Sequence, residues 1–105
     1  MDKEQLIGEN DEQTIEVELK RGTVTVRALT REESIQISDT KGTLDRDRKL
    51  VSWGMVEPEL TYQDVARWQK QRGSAGDIET VSEAIARASG MLPDAEREAV
   101  QRFPD

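Results

Sequence analysis

The chain has 105 residues, of which 34% are hydrophobic and 35% charged, with one Phe, one Tyr and two Trp. That supply of large apolar side chains suits one domain with a modest core under a well-solvated surface. Twenty-two acidic against fifteen basic residues give a net charge of -7, and neither Cys nor His occurs; this argues against nucleic acid as a partner and removes disulfides, thiol nucleophiles, the usual zinc sites and His-centred catalysis.

The first thirteen residues carry Asp2, Glu4, Glu9, Asp11 and Glu12 against Lys3, with only Leu6 and Ile7 as sizeable aliphatics. Such a segment buries too little apolar area to offset its ordering entropy. A flexible acidic tail is therefore expected over 1–13, either solubilising or ordered by a partner through Leu6 and Ile7. The folded domain is expected over 14–105. The opening residues contain no apolar signal core, and no run approaches the roughly 18 apolar residues of a spanning helix. A soluble protein made in a cytoplasm, with no membrane partner, is the expectation.

Period-2 alternation begins at Thr14. Ile15, Val17 and Leu19 fall on one side and Glu16 and Glu18 on the other; after Lys20-Arg21-Gly22 the pattern resumes with Val24, Val26 and Ala28 against Thr23, Thr25 and Arg27. Two β-branched runs about a short turn predict a β-hairpin, whose apolar face must be covered by the remainder of the chain. Thr30-Arg31-Glu32-Glu33 is a capping box and predicts a helix through Ile35 and Ile37, failing at Ser38 to Gly42. A second helix is predicted from about Leu44, carrying Leu50, Val51, Met55 and Val56 and halted by Pro58. Thr61 with Asp64 forms an acidic capping box for a third helix that buries Val65 and Trp68, and Leu60 with Val65 can staple its entry. Gly73 to Gly76 ends it.

From Asp77, the residues Ile78, Val81, Ile85 and Ala88 recur at helical spacing with Glu79, Glu83 and Arg87 opposite, and Gly90 terminates the run. Pro93-Asp94 predicts a final short helix with Ala95, Ala99, Val100 and Phe103 as its apolar members. The resulting fold class is α+β: one domain, with an N-terminal hairpin packed against four or five short helices.

Little in this chain is organised for chemistry. Glu32-Glu33, Asp45/Asp47 and Glu96/Glu98 are the carboxylate pairs available for acid–base work, and each has a capping or helix-dipole explanation. Asp45-Arg46-Asp47 resembles the start of a calcium loop but lacks the glycine and distal glutamate at the required offsets. Gly73 and Gly76 do not follow a strand, so they read as a helix–helix turn and not a phosphate cradle. Arg46, Arg48 and Lys49, like Lys70 and Arg72, are interleaved with acids or Gln and read as solvated helix faces. No catalytic, cofactor-binding or metal-ligating residue is assigned, and the chain is read as a binding protein and not an enzyme. Trp53 and Trp68 fit either the core or a partner contact.

In order along the chain, Gly22-Thr-Val-Thr-Val-Arg-Ala-Leu-Thr30, Arg48-Lys-Leu-Val-Ser-Trp-Gly-Met-Val-Glu-Pro58, Leu60-Thr61 with Asp64-Val65 and Trp68, and Ile78-Glu79-x-Val81-x-x-Ala84-Ile85 form a suggestive series. With Ser89-Gly90-Met91, Glu98-Ala99-Val100, Phe103 and the opening Lys3-Glu4-Gln5-Leu6, this series resembles the tail assembly chaperones of long-tailed bacteriophages, particularly those of actinobacterial hosts. The resemblance implies a protein of the infected cell's cytoplasm, absent from the mature virion. It would bind the hydrophobic tape measure protein, keep it soluble and help recruit tail tube protein. It also implies self-association or pairing with a longer, frameshifted form, and no cofactor.

A holdase needs an apolar face for its client and a charged exterior to keep the complex dispersed. Ala95, Ala99, Val100 and Phe103 are the candidate client face, with packing back onto the domain as the competing role. Two other readings stand beside this one. A tail or connector protein retained in the virion should show longer strands for intersubunit pairing, and an acidic inhibitor that mimics nucleic acid should line its acids along one face.

Overall fold

The computed structural model describes residues 1–7 and 14–90. It is an α+β domain built on a three-stranded antiparallel sheet of order β1-β2-β3. Strands β1 (Thr14–Leu19) and β2 (Gly22–Arg27) form the predicted hairpin, with Leu19 opposite Gly22 across the Lys20-Arg21 turn and Ile15 opposite Val26. The alternation sorts as expected: Val17 and Val26 are buried while Glu16, Glu18 and Thr23 are exposed.

The second strand pair was not expected. Helix α3 (Thr43–Gly54) stops at Gly54, and Met55 and Val56, expected to end that helix, belong instead to β3 (Met55–Glu57). β3 runs antiparallel to β2 with Glu57 opposite Thr25 and Met55 opposite Val26, so Val56 is left as a bulge. The cause is tertiary. As a strand residue, Met55 enters the core beside the fully buried Val26, and β2 gains partners for its second edge.

Both predicted capping boxes are present. Thr30 Oγ1 accepts from the Glu33 amide at 3.0 Å while the Thr30 amide donates to Glu33 Oε1 at 2.9 Å, opening α2 (Arg31–Ser38). Thr61 and Asp64 make the same reciprocal pair at 3.1 and 3.0 Å and open α4 (Tyr62–Gln69). Helix α5 (Ser74–Ala88) starts earlier than Asp77 because Gly73, at φ 85°, takes the left-handed turn alone. Ser74-Ala75-Gly76 then forms the first helical turn. Near the N-terminus, Asp2 and Gln5 cap one another reciprocally around a short α1 (Lys3–Ile7), all of whose side chains are exposed.

Helix α5 covers the apolar face of the hairpin and is tied to it at both ends. The Lys20 amide at the turn donates to Asp77 Oδ1 at 3.3 Å, and the Leu29 amide after β2 donates to Ser89 Oγ at 2.7 Å. α3 and α4 pack on α5 in turn. Val26, Val51, Val65, Val81 and Ile85 are the largest side chains fully shielded from water, and they join sheet and helices in one core. Trp53 and Trp68 are half-buried, each with one side packed on this core.

Candidate interaction surface

The proposed client face, Ala95, Ala99, Val100 and Phe103, lies outside the described residues, as do the predicted helix from Pro93 and the Glu96/Glu98 pair. Among the described residues, two of the surface grooves are open enough to take a partner's side chains.

The first runs between α3 and α5 and encloses about 350 Å³. Leu44, Ala75 and Ile78 give it an apolar lining, while Asp47, Gln69, Ser82 and Glu79 supply its polar groups. Ile78 is buried beneath it, whereas Leu44 stands 61% exposed at its mouth. Leu44 thus presents an aliphatic side chain to water beside the buried Ile78. Leu44 lies near the start of the predicted second helix, and its place in the first turn of α3, two residues after Gly42, leaves it at the edge of the core.

A polar clasp sets the shape of that groove. Gln69, the last residue of α4, donates from Nε2 to the Leu44 carbonyl at 3.3 Å and to Asp47 Oδ2 at 2.9 Å. Its Oε1 accepts from Arg48 Nε at 2.6 Å. Asp47 Oδ1 accepts from the Ser82 hydroxyl at 3.0 Å, so one carboxylate joins α3 to both α4 and α5. Alongside, Tyr62 donates to Asp45 Oδ1, Arg48 lies 3.7 Å from the same carboxylate, and its guanidinium sits 5.7 Å from the centre of the Tyr62 ring. Every acid of the Asp45/Asp47 pair thus has a structural partner. Sequence reasoning missed the clasp because its members lie on three helices, and only the fold brings Gln69 to Asp47.

The second groove, about 450 Å³, lies where α3 hands over to β3 and is lined by Arg27, Ser52, Trp53, Met55, Val56, Glu59 and Leu60. Trp53 packs one side on the core and lines this groove with the other. Arg27 at its rim is held by Glu33 at 3.2 Å. Burial pushes the Glu33 carboxyl up, but the Thr30 amide and the Arg27 guanidinium together outweigh that and hold it below the ordinary glutamate value. The Thr61 amide likewise lowers Asp64.

Among the described residues no group of three or more Asp or Glu is arranged to hold a metal ion, and no helix is long and apolar enough to cross a membrane. What the geometry defines is an α+β domain with an open, mainly apolar groove between α3 and α5 and a second one of mixed polarity beside β3. No protein-family model, curated protein or solved structure matches this chain.

Proposed function

We propose that this chain is a protein-binding domain acting as a bacteriophage tail assembly chaperone, which holds the tape measure protein in solution and helps bring tail tube protein to it. The observation that carries the reading is the α3–α5 groove. Its apolar lining ends in an exposed Leu44, and Asp47 and Glu79 border it on a chain of net charge -7. An apolar client segment gains roughly 25 cal/mol per Å² of area removed from water in such a groove, and the acidic exterior keeps the loaded complex dispersed. The resemblance in the order of sequence segments supplies the identity of the client, its infected-cell setting and the pairing with a longer form.

Co-expression with the phage tape measure protein tests this reading. A soluble complex is expected, and an insoluble tape measure with no complex recovered would overturn it. Two variants separate the candidate faces. Leu44→Asp should weaken the complex without unfolding the domain, because that side chain is already in water. Val100→Ser with Phe103→Ser tests the C-terminal face in the same assay. High copy number of this chain in purified virions would instead identify a structural tail component.

A further inference from the structure

The two edges of the sheet are built differently. β3 presents only three residues, is bulged at Val56 and is followed directly by Pro58, all of which discourage a further strand. β1 presents six regular residues with no bulge and no proline, an edge of about 20 Å. No strand among the described residues pairs with its outer side.

The register says which groups that edge offers. The hairpin closes on the Leu19–Gly22 pair across a two-residue turn. Antiparallel pairs alternate between hydrogen-bonded and open, so Ile15, Val17 and Leu19 direct their backbone groups to β2. The amides and carbonyls of Thr14, Glu16 and Glu18 face outward. The side chains of those same three residues lie on the solvent face of the sheet, and all are exposed. Glu16 and Glu18 have no ion-pair or side-chain hydrogen-bond partner among the described residues. On the opposite face, Ile15 is left 41% exposed beside the region that α5 covers.

We propose that the outer edge of β1 accepts an added antiparallel strand from another protein, one in which basic residues alternate with aliphatic ones. Its basic side chains would lie directly opposite Glu16 and Glu18, where an opposite-charge pair is favourable and a like-charge pair is not. Its aliphatic side chains would fall on the α5 side and cover Ile15. A second copy of this chain is a poor occupant, because pairing β1 with itself sets Glu16 and Glu18 against their own counterparts. The inference stands apart from the tape-measure reading, since it rests on edge geometry and charge alone.

The probe is a capped heptapeptide of alternating Lys and Val added to the full chain, with binding followed by titration calorimetry and amide exchange. In the free protein the Thr14, Glu16 and Glu18 amides exchange fast; on binding they become protected while those of Ile15, Val17 and Leu19 change little. Peptide methylated on its Lys amides should bind at least about tenfold more weakly, since those are the amides that pair with the edge, whereas methylation of the Val amides should be tolerated. A Glu–Val peptide should bind as poorly, and Glu16→Lys with Glu18→Lys should reverse that preference. Absence of binding, equal binding by the Lys-methylated peptide, or protection of the three amides before any peptide is added would each overturn the proposal. If the double variant fails to fold, the methylation comparison on the unaltered chain still decides.

Discussion

Gly54 is the residue on which the joining of helix to sheet depends. A Cβ built there would lie 2.5, 2.7 and 2.8 Å from three side-chain carbons of Ile85, itself fully buried. Neither partner can retreat, because Ile85 is enclosed by the core and Gly54 leads directly into β3. Gly54→Ala should therefore destabilise the domain by about 1–3 kcal/mol, the usual cost of overpacking, despite alanine's better helix propensity. Urea unfolding of the single variant, of Ile85→Val and of the pair would measure it, and the second change should recover part of the loss because it removes the nearest clashing carbon. Glu33 gives a second test with a definite sign. Its carboxyl is held below the ordinary value of 4.5, so the stability it contributes is fully present above that pH and is lost as pH falls through the lowered value. Thr30→Ala removes the hydroxyl half of the capping box and should cost about 1 kcal/mol at pH 7. Glu33→Gln should cost less at pH 7, and its stability curve should converge on that of the unaltered chain in acid.

At the scale of elements, what could be read from sequence was what is written locally. The hairpin is encoded by alternation within six-residue runs, the starts of α2 and α4 by Thr with an acid three positions later, and the buried stripe of α5 by Ile78, Val81 and Ile85. Each signal lies within one turn or one strand, so it survives without knowledge of the fold. β3 failed that condition. Three residues between a helix and a proline show no alternation, and they are a strand only because Val26 and Thr25 lie beside them. The start of α5 was missed because Gly73-Ser74-Ala75-Gly76 has loop composition, whereas only Gly73 is used as the turn. The candidate surface was the least legible part. Gln69 reaches across 22 residues to Asp47 and 25 to Leu44, and no pattern along one helix announces a contact between three. The clasp is also testable. Gln69→Ala removes three hydrogen bonds that hold α4 to α3, but the site is only half-buried and water can replace part of them. A loss of about 1 kcal/mol is expected. Faster amide exchange should be confined to the end of α4 and the beginning of α3, and the hairpin amides should be unaffected. A uniform loss of protection would mean that the clasp holds the whole domain and not only the groove.

For the whole molecule the governing quantity is its charge. The full chain carries a net charge of -7, of which the described residues, with fifteen acids against thirteen bases, hold -2 on a body of 45 × 35 × 29 Å, while the screening length is about 30 Å at 10 mM salt and about 8 Å at 150 mM. At low salt the charges of the described residues therefore feel one another across the whole domain, and their small excess of acids leaves a net repulsion in the folded state. Salt should relieve that repulsion. It also weakens ion pairs, but among the described residues there are only two, Arg27–Glu33 at 3.2 Å and Arg48–Asp45 at 3.7 Å. Both are partly exposed, and such pairs contribute roughly 0–1 kcal/mol each. Repulsion should win. Raising NaCl from about 10 to 150 mM at pH 7 should raise the melting temperature by a few degrees, corresponding to a gain below about 1 kcal/mol. KCl at equal ionic strength should do the same if screening and not ion binding is responsible. A fall in melting temperature would show that the two ion pairs outweigh the repulsion. The expected rise would mean that this thin-cored domain keeps an acidic exterior at a cost in its own stability, which is intelligible if that exterior serves a complex: a basic strand along Glu16 and Glu18 would neutralise charge where the free protein leaves it unpaired. Adding such a strand should then stabilise the domain more at 10 mM than at 150 mM salt, and that difference ties the charge of the whole molecule to the edge of its sheet.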